Sequence, residues 1–263
     1  MLKSIWQSSK GNRQMVKINE LTHYTQQLLQ IERFKDYCPN GLQIEGKHEI
    51  RKIVTGVTAS MALLEAAYQA NADLILVHHG YFWRNEDPSI VGIKRNRIAF
   101  MLHNNLNLMA YHLPLDAHPQ LGNNAQLGKV LGITPTGFAG ESNIIAHGRL
   151  AQPMTLHDFA KHLEMTLMRV PLVIGESQKM IQNIAWCTGA AQGYIDTAIT
   201  LGVDVYISGE ISEQTTHQAV ENDIAYIAAG HHVTERYGVQ ALGEHLADKF
   251  NVTHEFIDIH NPV

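Results

Sequence analysis

Charge is scarce in this chain. Only 17% of its 263 residues are Asp, Glu, Lys or Arg, below the quarter that globular proteins usually carry. So little charged surface at this size points to a homo-oligomer with extensive buried interfaces. The 20 Lys and Arg are outnumbered by 25 Asp and Glu, for a net charge of −5 with His neutral. No basic stripe appears, so duplex nucleic acid is a poor partner by charge. Small anionic ligands stay open if a metal supplies the positive charge. Cysteine is nearly absent: Cys38 and Cys187 stand far apart and outside any CxxC spacing. That argues against a disulfide framework and fits a reduced, cytoplasmic compartment. No apolar run reaches the ~20 residues of a membrane helix. The first fourteen residues hold Lys and Arg but no apolar stretch, which does not suit a secretory signal. They read as a loose extension or cloning remnant, with folding expected to begin near Met15.

What the chain does have is histidine, 16 in all, and the positions matter more than the number. The run Leu74-Ile75-Leu76-Val77 reads as a short strand buried on both faces and stops in His78-His79-Gly80. Open α/β folds place their sites at this edge of a sheet. Ile53 to Val57 is a second strand, joined to the first through a helix from Ser60 to Ala70 with Ser60 as N-cap. Leu106 to Tyr111 is a third, ending at His112. Upstream, Ile18 to about Phe34 has helical periodicity with Asn19 as a cap, and Pro39-Asn40-Gly41 is turn chemistry before a short strand. From Thr134 to about Gln182 the pattern is less regular. Strands are expected near 144–146 and 170–174, with a helix from Thr155 to Leu167.

The second half then repeats the first. At an offset of 131 residues Ile184 falls on Ile53, Asp204 on Asp73, and Val205 to Ser208 on the histidine strand. Gly209-Glu210 takes the place of His78-His79. After a helix over 213–221, Ile224 to Ala229 matches the strand before His112 and ends in Gly230-His231-His232-Val233-Thr234-Glu235. A final strand runs from Thr253 to Ile259. The fold class is therefore α/β, with internally duplicated βαβ-type halves over 15–133 and 134–263, the second intertwined with the first.

Four apolar strands thus end in polar groups: His78 and His79, His112 leading to Asp116, Glu210, and His231 leading to Glu235. If the halves face each other, these ends meet in a cleft. A lone His-x-x-x-Glu is more often a solvated helix pair, and one strand-ending histidine is more often a cap. Two tandem histidine pairs with a carboxylate in a Pro-rich loop favour a metal site. Three imidazoles and two carboxylates exceed the needs of one four-coordinate ion. They suit two divalent ions about 3.5–4 Å apart, bridged by a carboxylate and a water that the cations make acidic. Mixed N/O ligation fits zinc, iron, manganese or cobalt better than calcium.

Other polar residues have competing readings. His112 orients Asp116, moves a proton, or only bonds a loop carbonyl. His217 reaches the cleft as a general acid, or lies on the surface. Tyr81 and Asn124 are candidate substrate contacts. His118 belongs to the rim, and His232 points away from the ligands.

Taken together, Val77-His78-His79-Gly80, His112-Leu-Pro-Leu-Asp116-Ala-His-Pro, Gly122-Asn-Asn-Ala-Gln-Leu, Ser208-Gly-Glu210 and Ala229-Gly-His231-His232-Val-Thr-Glu235 resemble the Nif-three-like family. Its bacterial members are the GTP cyclohydrolase type 2 homologues, and the short YbgI type is the best match, from about Asp36 to Val263. The resemblance implies a duplicated α/β fold with two metal ions between the halves. It implies His78, His79, Asp116, His231 and Glu235 as ligands, and a toroidal hexamer with metals facing an inner cavity. The domain that longer relatives insert between the halves is absent here.

Two functions follow as expectations. One is a dinuclear metal-dependent hydrolase acting on a nucleotide or related heterocyclic or amide substrate, with His112 or His217 moving protons. The other is a non-catalytic metal-binding or regulatory ring. A phosphoesterase of another superfamily lacks its Asp-x-His opening motif.

Overall fold

Among the described residues, short apolar runs closed by turn residues become the strands of two mixed sheets and a small antiparallel β1–β3 pair. The computed structural model describes residues 14–263; the expected N-terminal extension lies outside them apart from Gln14. After β1 (Val16–Lys17), α1 (Ile18–Leu29) starts directly at Lys17 without a side-chain cap. Asn19 therefore lies inside the helix and does not cap it. The helix also stops short of Phe34, because Gln30 turns left-handed at φ 50°. Then come β2 (Gly41–Ile44), β3 (Glu49–Ile50), β4 (Lys52–Thr58), α2 (Met61–Gln69), β5 (Leu74–His79), α3 (Gly92–His103) and β6 (Asn107–Ala110). Ser60 caps α2 as expected, its side chain accepting from the Leu63 N–H. The first sheet orders these strands β13-β4-β5-β6-β2, parallel except for β2.

Beyond α4 (Leu113–Ala117) and α5 (Asn123–Val130) comes the stretch whose pattern was least regular. It contains a long antiparallel hairpin of β7 (Thr134–Ala139) and β8 (Ile145–Thr155). Exposed residues alternate irregularly along both strands, so period-2 patterning is weak there. Next follow α6 (Leu156–Leu167), capped by Thr155, then β9 (Leu172–Ile174), β10 (Met180–Trp186), α7 (Ile195–Leu201), β11 (Val205–Ser208), α8 (Glu213–Glu221) and β12 (Ala225–Ala228). The second sheet runs β7-β8-β10-β11-β12-β9. The chain closes with α9 (His231–Thr234), α10 (Arg236–Phe250) and β13 (Thr253–Phe256), which returns to the first sheet beside β4.

The duplication is visible in the registers. Ile53 pairs with Leu74 and Ile184 with Val205, each pair 131 residues from its counterpart. The aspartates entering the middle strands repeat too. Asp73 Oδ2 accepts from the backbone N–H groups of Arg51 and Lys52, at 2.8 and 3.1 Å. Asp204 Oδ2 accepts from Gln182 and Asn183, at 2.8 and 2.7 Å. Each carboxylate satisfies donors at the start of the neighbouring strand.

The halves are interlocked by exchanged helices. Val239, Leu242 and Leu246 of α10 pack with Ile53, Leu74 and Met109 of the first sheet. Leu127 of α5 packs with Ile184, Trp186 and Ile207 of the second. Close approach needs small residues: a Cβ on Gly243 would stand 2.6 Å from Thr55 Cγ2, and one on Gly128 would stand 2.7 Å from Trp186 Cζ2. Thr55 and Trp186 hold equivalent places in the two sheets. Burying each α10 leucine contributes about 1.5–3 kcal/mol, and this burial holds the facing strand ends in place.

Candidate metal centre

Strand ends, a short helix and a kink converge between the two sheets. β5 delivers His78 and His79, α4 carries Asp116, and α9 starts with His231. The expected helical His231–Glu235 pair is realised with a break. α9 is one turn long, and Glu235 sits at the joint before α10 with φ −106°.

Each imidazole is held by its Nδ1. His78 Nδ1–H donates to the Tyr111 carbonyl at 2.9 Å, and His231 Nδ1–H to Glu210 Oε1 at 2.6 Å. His79 Nδ1 bonds the Thr58 hydroxyl at 3.2 Å. The Nε2 atoms are thereby aimed at Glu235. His78 Nε2 lies 3.4 Å from Oε1, while His79 and His231 Nε2 lie 3.3 and 3.1 Å from Oε2. Asp116 Oδ1 stands 3.5 Å from His78 Nε2 and accepts from Asn123 Nδ2 at 2.8 Å and Thr188 Oγ1 at 3.3 Å. Fixing the remote nitrogen of a histidine and the spare lone pairs of a carboxylate is how proteins orient metal ligands.

These contacts are close without being hydrogen bonds. His78 Nε2 and Glu235 Oε2 are fully buried and have no hydrogen-bond partner. With Nδ1 carrying the proton, a neutral His78 turns a lone pair toward two carboxylates, which is repulsive unless positive charge lies between them. Ligands at ~2.0–2.2 Å from a shared ion stand about 3.0–3.5 Å apart, which is the spacing found here. The donor set of His, Asp and Glu therefore fits divalent transition-metal ions. The groups His78, Asp116, Glu235 and His79, His231, Glu235 each cluster closely enough to hold one ion.

The electrostatics agree. Burial alone would lower His78, but the Asp116 and Glu235 carboxylates outweigh it and raise its pKa to about 10. His231 is likewise raised to about 9, by Glu235 and Glu210 against burial. His79 is driven the other way: burial, with the neighbouring imidazoles, lowers it to about 3. Glu235 is held well below the ordinary glutamate value because the imidazoles overcome its burial, and Asp116 is raised by burial. The site demands cations, as protons or as metal.

This centre forms one wall of a cavity of about 640 Å³, lined also by Tyr37, Trp83, Tyr194, His112 and Cys187. A family model described as Duf34/NIF3 (NGG1p interacting factor 3) matches residues 16–262. The chain belongs to this family. It is 53% identical over 250 residues to the "GTP cyclohydrolase 1 type 2 homolog" of Pseudomonas aeruginosa, covering 94% of this chain and 99% of that protein. It is 55% identical over 233 residues to the protein of that name in Vibrio cholerae, covering 87% and 92%. Among solved structures, protein ybgI, described as of unknown function, is similar at a TM-score of 0.91 and 48% identity, over 94% of this chain and all of that one. A Thermus thermophilus protein is similar at 0.85 and 31%, with coverage of 94% and 100%.

In this NIF3 chain the five residues expected as ligands come together, and the four other candidates divide. His112 lines the cavity, but Asp36 holds it, with Nδ1–Oδ1 at 2.7 Å. It does not orient Asp116. His217 is exposed on α8 and does not line the cavity, so the geometry gives it no part in proton transfer. Tyr81 is buried, with its hydroxyl donating to the Ala59 carbonyl at 2.7 Å. Asn124 is a clamp between the halves: Nδ2 donates to Ile144 O, Oδ1 accepts from Thr188 N, and its carbonyl accepts from Trp186 Nε1. Neither offers a free polar atom to a substrate. His232 turns to Asp258 at 2.8 Å, away from the ligands.

Sequence reasoning missed Asp36, Asn40, Thr58, Asn123 and Thr188. Asp36 accepts from Leu113 N and Asn40 Nδ2 besides His112. Asn40 Oδ1 in turn accepts from His112 N at 2.8 Å. The run Asp36-Tyr37-Cys38-Pro39-Asn40-Gly41 was the available signal, since polar residues around a tight turn can do more than form the turn. Glu210, the counterpart of His79 by repeat, orients a histidine.

Proposed function

We propose that this chain is a dinuclear metal-dependent hydrolase acting on a nucleotide or a related heterocyclic or amide substrate. The supporting observation is the division of Glu235. Its Oε1 faces His78, beside Asp116, and its Oε2 faces His79 and His231. One carboxylate serving two ligand sets suits two zinc, iron, manganese or cobalt ions. When bound, such a pair makes water acidic near neutral pH and polarises a carbonyl, imine or phosphoryl oxygen. The chain supplies the rest. The Asp36 carboxylate accepts from the Nδ1–H of His112, so His112 Nε2 is the nitrogen left to move protons at the cavity. Tyr37, Trp83 and Tyr194 offer flat faces for a planar substrate. The relatives' name, GTP cyclohydrolase 1 type 2 homolog, favours a purine nucleotide among such substrates.

We read the protein as cytoplasmic and as a ring-forming homo-oligomer, a hexamer by family resemblance. Low charge supports assembly, as do the exposed Met165, Met168, Val170 and Leu172 near the edge strand β9. Light scattering tests the ring. Among the described residues, no helix is long and apolar enough to cross a membrane.

The deciding experiment is elemental analysis of purified protein, then turnover of a metabolite pool followed by mass spectrometry. Two metals per chain and loss of a heterocyclic or amide metabolite are expected. A fully loaded protein that consumes nothing would leave the second reading, a non-catalytic metal-holding ring. That reading is favoured by one asymmetry: His78 is sealed while the side chain of His231 is 25% exposed, so one ion set is open to exchange.

A further inference from the structure

Among the described residues, none that lines the candidate metal cavity is a lysine or arginine. An anionic substrate group must then bind the metals themselves or leave the cavity. The structure offers a place outside. A second hollow of about 280 Å³ shares the wall residues Tyr37, Leu113, Ile144 and Tyr194 with the cavity and adds Arg33, Lys35, Glu141 and Ser142. Lys35 makes no ion pair among the described residues. Arg33 spends one N–H on the neutral Gln30 side chain, and among the described residues its other guanidinium N–H groups have no partner. Ser142 brings a hydroxyl on a backbone turned left-handed at φ 57°.

We propose that this hollow, with Arg33 and Lys35 as its donors, binds the anionic group of the substrate, phosphoryl or carboxylate, while a planar head occupies the metal cavity. The inference rests on the hydrolase reading above and narrows its substrate class. With Glu141 on the same wall, the hollow carries a net charge of only +1. That matches the single charge of a carboxylate, offsets the charge of about −1.5 to −2 on a phosphomonoester only in part, and falls far short of a triphosphate. Tyr37 lines both spaces and is braced on one face by the Arg84 guanidinium, 5.5 Å from its ring centroid.

The test is equilibrium binding to the metal-loaded full chain by calorimetry, comparing guanosine with its 5′-monophosphate and uracil with orotate. Metal content is measured on the same samples, so failure of the hydrolase reading shows separately as missing metal or missing turnover. Exposed charge pairs are weak, so the anionic member of at least one pair is expected to bind about fivefold to tenfold tighter. Added salt should shrink the gain. The gain should vanish in the Arg33→Ala/Lys35→Ala variant, whose substitutions are exposed and leave the ligands untouched. Glu141→Gln should enlarge it. The first pair alone gaining identifies phosphoryl, the second alone carboxylate. A gain that persists in the double variant would place the anion on the metals and overturn the proposal. So would equal binding within both pairs, or no binding at all.

Discussion

Gly189 and Glu235 lie so close that a methyl group on the glycine would collide with the carboxylate. The Gly189 backbone is also left-handed, at φ 69°, and its N–H donates to Thr234 Oγ1 at 3.1 Å. This passing loop forms part of the wall that sets the position of Glu235. Gly189→Ala is expected to displace Glu235 and to add backbone strain of order 1–3 kcal/mol. The variant should fold with a lowered melting temperature and hold less metal than the parent. Full metal occupancy with unchanged melting would show that Glu235 is placed by other contacts.

Asp116 and Glu235 should differ as ligands. Asp116 approaches only His78, whereas Glu235 faces all three imidazoles. Asp116→Asn is expected to reduce metal from two ions per chain toward one, and Glu235→Gln to abolish both. Inductively coupled plasma mass spectrometry after dialysis reads the stoichiometry. Equal losses from the two variants would contradict the shared-carboxylate arrangement.

Stability should respond to pH with opposite sign in the two metal states. Without metal, His78 and His231 have folded pKa values raised to about 10 and 9, above the ~6.5 of an unfolded histidine. Their contribution is complete below about pH 6.5 and is lost as pH rises through 9 to 10. Metal must displace those protons, so its stabilising effect grows with pH. The melting-temperature gain on adding zinc or manganese should therefore increase from pH 6 to pH 9. A gain independent of pH would sink the ligand assignment for these two histidines.

Asp36→Asn tests the dyad behind His112. The amide keeps the shape but loses the charge that holds the Nδ1 proton. Metal content should be unchanged, while kcat falls by about 10–100-fold, the range typical when a partner orienting a histidine is lost. His112→Ala should cost about 10²–10⁴-fold, as removal of a proton carrier does. Loss of metal in Asp36→Asn would make His112 a ligand and not a proton carrier.

Much of the candidate site was legible because His78 and His79 end one strand and His231 closely follows another. Apolar runs such as Leu74 to Val77 and Val205 to Ile207 are local signals, and whatever follows them lies at a sheet edge. The caps Ser60 and Thr155 were equally local. Asn124 misled because an exposed-looking polar residue in a Gly-Asn-Asn run gives no hint that Trp186, 62 positions away, needs its carbonyl. His217 was open between cleft and surface because helical spacing says which face a residue shares, not what that face looks upon; it lies exposed.

By itself the sequence determined the two repeated βαβ patterns and which side chains are candidates to hold a metal, since both arise from short-range periodicity and residue chemistry. Tertiary structure alone decided that α5 and α10 are exchanged between the sheets and that Asp36 reaches His112. It also turned one oxygen of Glu235 toward His78 and the other toward His79 and His231. Apart from the His231–Glu235 contact, those relations join residues tens to hundreds of positions apart, where no period survives in the chain and only packing and complementary charge choose the partner.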